Sequence, residues 1–160
     1  MEVSPDGAIV YLAASGIIST VPIGGSEVRE LTRGNGIAPD PLGRFLVIDR
    51  QAAAGPQLLR RDPNGTETVL ALPPGIRATG LSVWPTSLDA AGRLVFVAET
   101  DDSWFWGPAV LDLETNQATR VPMNYAGDAE VDAAWDGDGH STVLARRTES
   151  TIWPFERSPN

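Results

Sequence analysis

Twelve basic against 21 acidic side chains give this 160-residue chain a formal charge of −9, which argues against nucleic acid or an anionic membrane as partner, since both require cations to neutralise phosphate. With no cysteine, it can build neither a disulfide nor a zinc–thiolate centre. Apolar residues at 42% and charged ones at 21% are those of an ordinary folded domain, while 16 glycines and 13 prolines, dispersed along the chain, suit short strands joined by turns.

In chain order, the turn Ser4-Pro5-Asp6-Gly7 is followed by an apolar strand "AIVYLAA", a second strand "GIISTVPI" from Gly16 and a third, "EVRELT", from Glu27. A short strand "GIAPD" then leads into a turn ending at Gly43, followed by "RFLVIDR", "PQLLRRD" and "TETVLAL". The set returns as "GLSVWP" from Gly80, a turn ending at Gly92, "RLVFVAE", "PAVLDLE" and "QATRVPM". It begins again with "VDAAWD", Gly139, "STVLARR" and the terminal "STIWPFE". The turn glycines are spaced by 36, 49 and 47 residues (43−7, 92−43, 139−92), periods that belong to propellers and solenoids. Glycine supplies the positive φ of a tight hairpin, and Ser or Asp caps it.

A four-stranded antiparallel unit repeated about four times predicts an all-β chain, a β-propeller with approximate blades 1–33, 34–78, 79–127 and 128–160 in a single domain. Radial stacking buries both faces of the central strands, which accounts for the uninterrupted "FLVI" and "LVFV". A β-sandwich is the rival architecture, but it does not require the regular recurrence. "VSPDG" before an apolar strand, with "IISTVPIGGSEVRELTRG" after it, resembles the TolB-like propeller repeat, a relative of WD-type blades. The resemblance implies a blade and not an activity, and TolB-like proteins are associated with protein partners in the bacterial periplasm. "MEVSPDG" carries no signal peptide, and no apolar run approaches the ~18 residues of a membrane span, so no membrane insertion is expected.

The first repeat has only "MEV" ahead of its turn, and the last lacks an outer strand. The expectation is an incomplete ring, the C-terminal blades of a larger propeller. The alternatives are a homodimer completing a ring of about eight blades, or closure of four blades alone.

Catalytic signatures are sparse. His140 is the single histidine and has only Ser141 beside it; neighbours on a strand point to opposite faces and cannot act as base and nucleophile. "DGDGH" at 136–140 fails the EF-hand pattern, with Ser141 and Arg147 where Gly and Glu are required. With Asp128, Glu130 and Asp132 it forms an acidic patch, and no metal or cofactor is expected. "ETDDSWFWGP" at 99–108 places Trp104, Phe105 and Trp106 in a row, and alternation forbids all three from facing one core. In a propeller that loop shares a rim with the loops carrying Arg33, Asn35, Arg77, Tyr125 and Asp128; aromatics beside arginines are enriched at recognition surfaces. The competing reading has Trp104 or Trp106 capping its blade or filling the central channel, while Trp84, Trp135 and Trp153, near inner or second strands, are expected to serve blade packing. The functional expectation is a non-catalytic module holding a protein or peptide partner on this rim. Its rivals are an accessory propeller of a larger enzyme, such as a serine/threonine kinase or a prolyl-oligopeptidase-type hydrolase, and a carbohydrate-binding surface.

Overall fold

The computed structural model describes residues 1–25, 27–80, 83–103, 106–122, 129–136 and 138–146, with the side chains of 129–131 and 145–146 left aside. Among the described residues there are strands and turns and no helix. The first sheet runs β1 (Glu2–Val3), β2 (Ile9–Ala14), β3 (Ile17–Pro22), β4 (Arg29–Arg33), in that spatial order. The second runs β5 (Gly36–Pro39), β6 (Leu46–Ala52), β7 (Gly55–Arg61), β8 (Glu67–Val69). The third runs β9 (Ile76–Ala78), β10 (Arg93–Thr100), β11 (Gly107–Asp112), β12 (Gln117–Arg120). In the fourth, β13 (Ala129–Trp135) pairs with β14 (Ser141–Arg146); the expected strand "STIWPFE" lies outside the described residues. Paired strands are antiparallel throughout.

Among the described residues the core forms three seams, each between consecutive sheets. Ile18 meets Ile37, Ile48 and Leu59 in the first. Phe45, Val47 and Leu58 meet Leu94, Phe96 and Leu111 in the second. Val95 and Val97 meet Ala133, Trp135 and Val143 in the third. A central strand therefore contributes alternate residues to two seams, and β10 buries Leu94 to Ala98 without a break. Each buried Leu, Val or Phe adds roughly 1.5–3 kcal/mol, so a blade's cohesion comes mostly from its neighbours. Stacking is sequential rather than two sheets laid face to face, which removes the sandwich alternative.

The four turns share one scaffold. The glycine N–H donates to the carbonyl three residues back: Gly7 to Ser4, Gly43 to Asp40, Gly92 to Asp89, Gly139 to Asp136. All four glycines have φ between 71° and 81°, where a Cβ would be strained. The hairpins then differ in length. Ser4 and Asp40 donate to the carbonyls of Ile9 and Phe45, whereas Asp89 and Asp136 donate to those of Arg93 and His140, one residue nearer. Faces follow. Four residues past the glycine, Tyr11 and Val47 point toward the following sheet, while Phe96 and Val143 point toward the preceding one.

One expected strand is displaced. The inner strand of the third sheet is Ile76–Ala78, paired with Ala98 to Thr100, not "GLSVWP", so that sheet begins at Ile76 rather than at 79. The chain then leaves the ladder and rejoins it where Val95 N–H donates to the Ser87 carbonyl and Leu88 bridges Leu94. Pro85 has no N–H to donate. The excursion ties three sheets together. The Val83 carbonyl lies where a Cβ on Gly36 would sit, and the Thr86 carbonyl accepts from Trp135 N–H at 2.9 Å.

Candidate functional site

The loops leading from second to third strands and from one sheet to the next gather on one side. Gly34 N–H donates to the carbonyl of Gly16 in the β2–β3 turn at 3.0 Å, and Asp101 N–H, beyond β10, donates to Gly75 ahead of β9 at 3.2 Å. Arg33 and Asn35 flank the first of these contacts and both are exposed. Arg77 flanks the second, but it is committed within the chain, ion-paired with Asp101 and with Glu99 at 3.5 Å. Arg120 pairs in the same way with Asp102 at 3.1 Å. Trp106 stands half-exposed ahead of β11. Trp104, Phe105, Tyr125 and Asp128 lie outside the described residues.

Trp84 was expected to pack inside a blade; instead it is 41% exposed. It lines a depression of about 150 Å³ with Met1, Asn35, Ile37, Val83 and Pro85. Its displacement follows from the broken inner strand, since residues 83–87 stand off the ladder. Trp135 does pack, donating from Nε1 to the Arg93 carbonyl at 2.9 Å while the Arg93 guanidinium lies 4.7 Å from its ring. Trp153 lies outside the described residues.

On the opposite side, the four glycine turns surround a wider depression of about 670 Å³, to which Val3, Pro39, Pro85 and Trp135 contribute. One wall from each sheet shows that the sheets turn about a shared axis. Three of these turns, all but the first, also carry a pattern the sequence held in plain view, Asp at the first position and a basic residue at the fifth. Arg44 clamps Asp40 with Nε and Nη2 at 2.8 Å. Arg93 does the same to Asp89 with Nε at 2.7 Å. His140 takes the place in the last turn, its Nδ1 3.4 Å from Asp136. Burial pushes Asp40 up, but hydrogen bonds and charge from Arg44 outweigh it and hold the carboxyl below its ordinary range.

His140 is therefore a turn residue in an arginine's position, exposed, with Ser141 opening the strand behind it. The carboxylates of Asp136 and Asp138 and the His140 imidazole lie within 4.8 Å of one another. All three are exposed, and Asp136 already accepts the N–H groups of Asp138 and His140, so the cluster is accounted for by turn geometry. Between the first two sheets, Glu67 accepts from Thr32 at 2.6 Å and from Arg61 at 2.9 Å, and pairs with Arg50 at 2.7 Å. Burial pushes Glu67 up, and these donors outweigh it and hold it below the usual carboxylate range. This is a clasp across the first seam.

No protein-family model matches the chain, and no curated protein matches it in sequence. Among solved structures, TolB from Acinetobacter baumannii superposes with a TM-score of 0.60 at 19% identity, over 90% of this chain and 39% of that one. A chain of a nidogen/laminin complex superposes with a TM-score of 0.59 at 15% identity, over 86% and 54%. The fold is that of a TolB-like β-propeller. The propeller described here spans about two fifths and about half of these two chains. Acylaminoacyl peptidase of Pyrococcus horikoshii aligns with a TM-score of 0.45 over 30% of its length, too low to bear on activity. No helix among the described residues is long and apolar enough to cross a membrane.

Proposed function

We propose that this propeller is a non-catalytic module that holds a protein or peptide partner on its loop rim. The observation that carries the reading is the exposure of Trp84 at 41% beside Asn35 on the axis, with the half-exposed Trp106 at the third blade. A tryptophan left in water at a concave mouth is the residue type that dominates binding energy when a partner covers it. That the nidogen/laminin chain comes from a complex of two proteins supports the same class of role. The ion pairs of Arg77 and Arg120 within the chain support a role in shaping the rim, with Arg33 and Asn35 among its polar contacts.

The test is selection of a phage-displayed random dodecapeptide library on the immobilised chain, followed by titration of enriched peptides. Trp84→Ala and Trp106→Ala should each weaken rim-bound peptides about tenfold or more, as interface anchors do, without changing the melting curve. A selection in which every enriched peptide binds both variants as tightly as the parent would refute the rim.

A further inference from the structure

The first seam is filled at the rim end by Ile18, Ile37, Ile48 and Leu59, all buried, and open at the turn end. There a cleft of about 350 Å³ separates Ile9, Tyr11, Thr20 and Leu31 of the first blade from Pro39 and Leu46 of the second. The next seam is closed at the same place. Aligned by hairpin pairing, Ile9 stands where Phe45 stands in the second seam, Pro39 where Leu88 stands and Ile48 where Phe96 stands. Ile9 and Pro39, which line the cleft, are smaller than Phe45 and Leu88 and leave the space that those two fill. Protein interiors seldom leave apolar voids, and this volume lies within the range of ligand sites.

The walls indicate what fits. Pro39 and Pro63 have fixed φ and no N–H, so the cleft is preformed at little entropic cost. The charges at its edge are already neutralised: Arg61 by Glu67, Asp62 by Arg60 and Asp40 by Arg44. Asp6, in the adjoining depression, differs: among the described residues it has no ion-pair partner, and its carboxylate accepts from the Ser4 hydroxyl and Ala8 N–H. Through Pro5, Ile9 and Tyr11 the cleft continues into a second depression of about 470 Å³ that reaches Asp6, Pro41 and Leu42, the last 62% exposed. Two depressions joined through Pro5, Ile9 and Tyr11 suit an extended chain.

We propose that the groove between the first and second blades binds an extended peptide segment, seating one large apolar side chain between Tyr11 and Leu46 with an adjacent Lys or Arg on Asp6. The site is separate from the rim and does not depend on it. The same dodecapeptide selection, run on the whole chain, tests it. Peptides with an aromatic residue or leucine next to Lys or Arg should be enriched. Thr20→Trp, which fills the cleft from β3, should weaken them about thirtyfold or more, as blocking a hot-spot pocket does. Asp6→Asn, which keeps both turn hydrogen bonds, should weaken them about threefold, and only at low salt. Trp84→Ala and Trp106→Ala should leave them unchanged, which separates groove from rim. Should Thr20→Trp fail to fold by circular dichroism, Tyr11→Ala takes its place with the same expected loss. A selection that enriches no such peptide, or whose peptides bind both cleft variants like the parent, overturns the groove.

Discussion

Arg44 illustrates how one side chain decides the worth of a turn. Its partner Asp40 has a fully buried carboxylate, that of Asp89 is 13% exposed and that of Asp136 is 42% exposed. Removing a cation costs more the less water can replace it. Arg44→Ala should therefore destabilise by about 2–3 kcal/mol, Arg93→Ala by about 1 kcal/mol, and His140→Ala by less than about 0.5 kcal/mol, an order that urea unfolding at pH 7 will read. The acids also predict two opposite pH dependences. Asp40 and Glu67 are held low in the fold, so their stabilisation is complete above the unfolded values of about 3.9 and 4.3. It is lost as pH falls through the lower folded values. Asp132 is pushed up by burial, so its ionisation works against the fold as pH rises through and above the unfolded value. Asp132→Asn should gain about 0.5–1 kcal/mol at pH 7 and nothing below pH about 3 in thermal melts. At this scale the glycine turns were legible because positive φ restricts the residue type. The basic fifth position of "DPLGR", "DAAGR" and "DGDGH" was equally present in the sequence but passed unread, since a clamp shows itself only when the turns are compared position by position.

Among elements, the central strands were readable because burial on both faces leaves continuous apolar runs: "FLVI" and "LVFV" fall at β6 and β10. The third inner strand was not. Ile76–Ala78 is three residues long with one exposed arginine, too short and mixed to announce itself, while "GLSVWP" has the composition of a strand and its residues 83–85 stand off the ladder. Its carbonyl at Val83 explains an otherwise unremarked glycine. Gly36 has no positive φ, yet any Cβ there meets that backbone oxygen, which no rotamer can relieve. Gly36→Ala should cost about 2 kcal/mol or more. It should also speed amide exchange at Trp135, which donates to the same excursion at Thr86. Unchanged exchange at Trp135 with normal stability would show that the excursion does not tie the sheets. Of the loops expected at the rim, those at 33–35 and 75–77 meet a neighbouring turn, but their charges were not legible. Arg77 was singled out as a contact, whereas Glu99 and Asp101, close by in space, already hold it.

For the molecule as a whole, sequential seams make stability close to a sum of nearest-neighbour terms. Ile18 belongs to the first seam and Val97 to the third. Ile18→Val and Val97→Ala should therefore have costs that add within about 0.5 kcal/mol. Phe45→Leu and Phe96→Ala share the second seam and should depart from additivity by more than that in equilibrium unfolding. The repeat itself was legible from the glycine spacing, because each unit needs the same turn at the same place. The open cleft in the first seam was not, since it arises from modest differences in side-chain size, Ile9 for Phe45 and Pro39 for Leu88, that have meaning only once the pairing is known.

The unequal hairpins have a practical consequence for anyone who would average these repeats into a consensus. Stacking the four sequences on their glycines puts Tyr11 and Val47 in one column with Phe96 and Val143, although the first two look clockwise and the last two anticlockwise, or the reverse, around the axis. A consensus module built that way would mix two incompatible parities. Only an alignment that grants the first two turns one extra residue yields a repeat that can be concatenated.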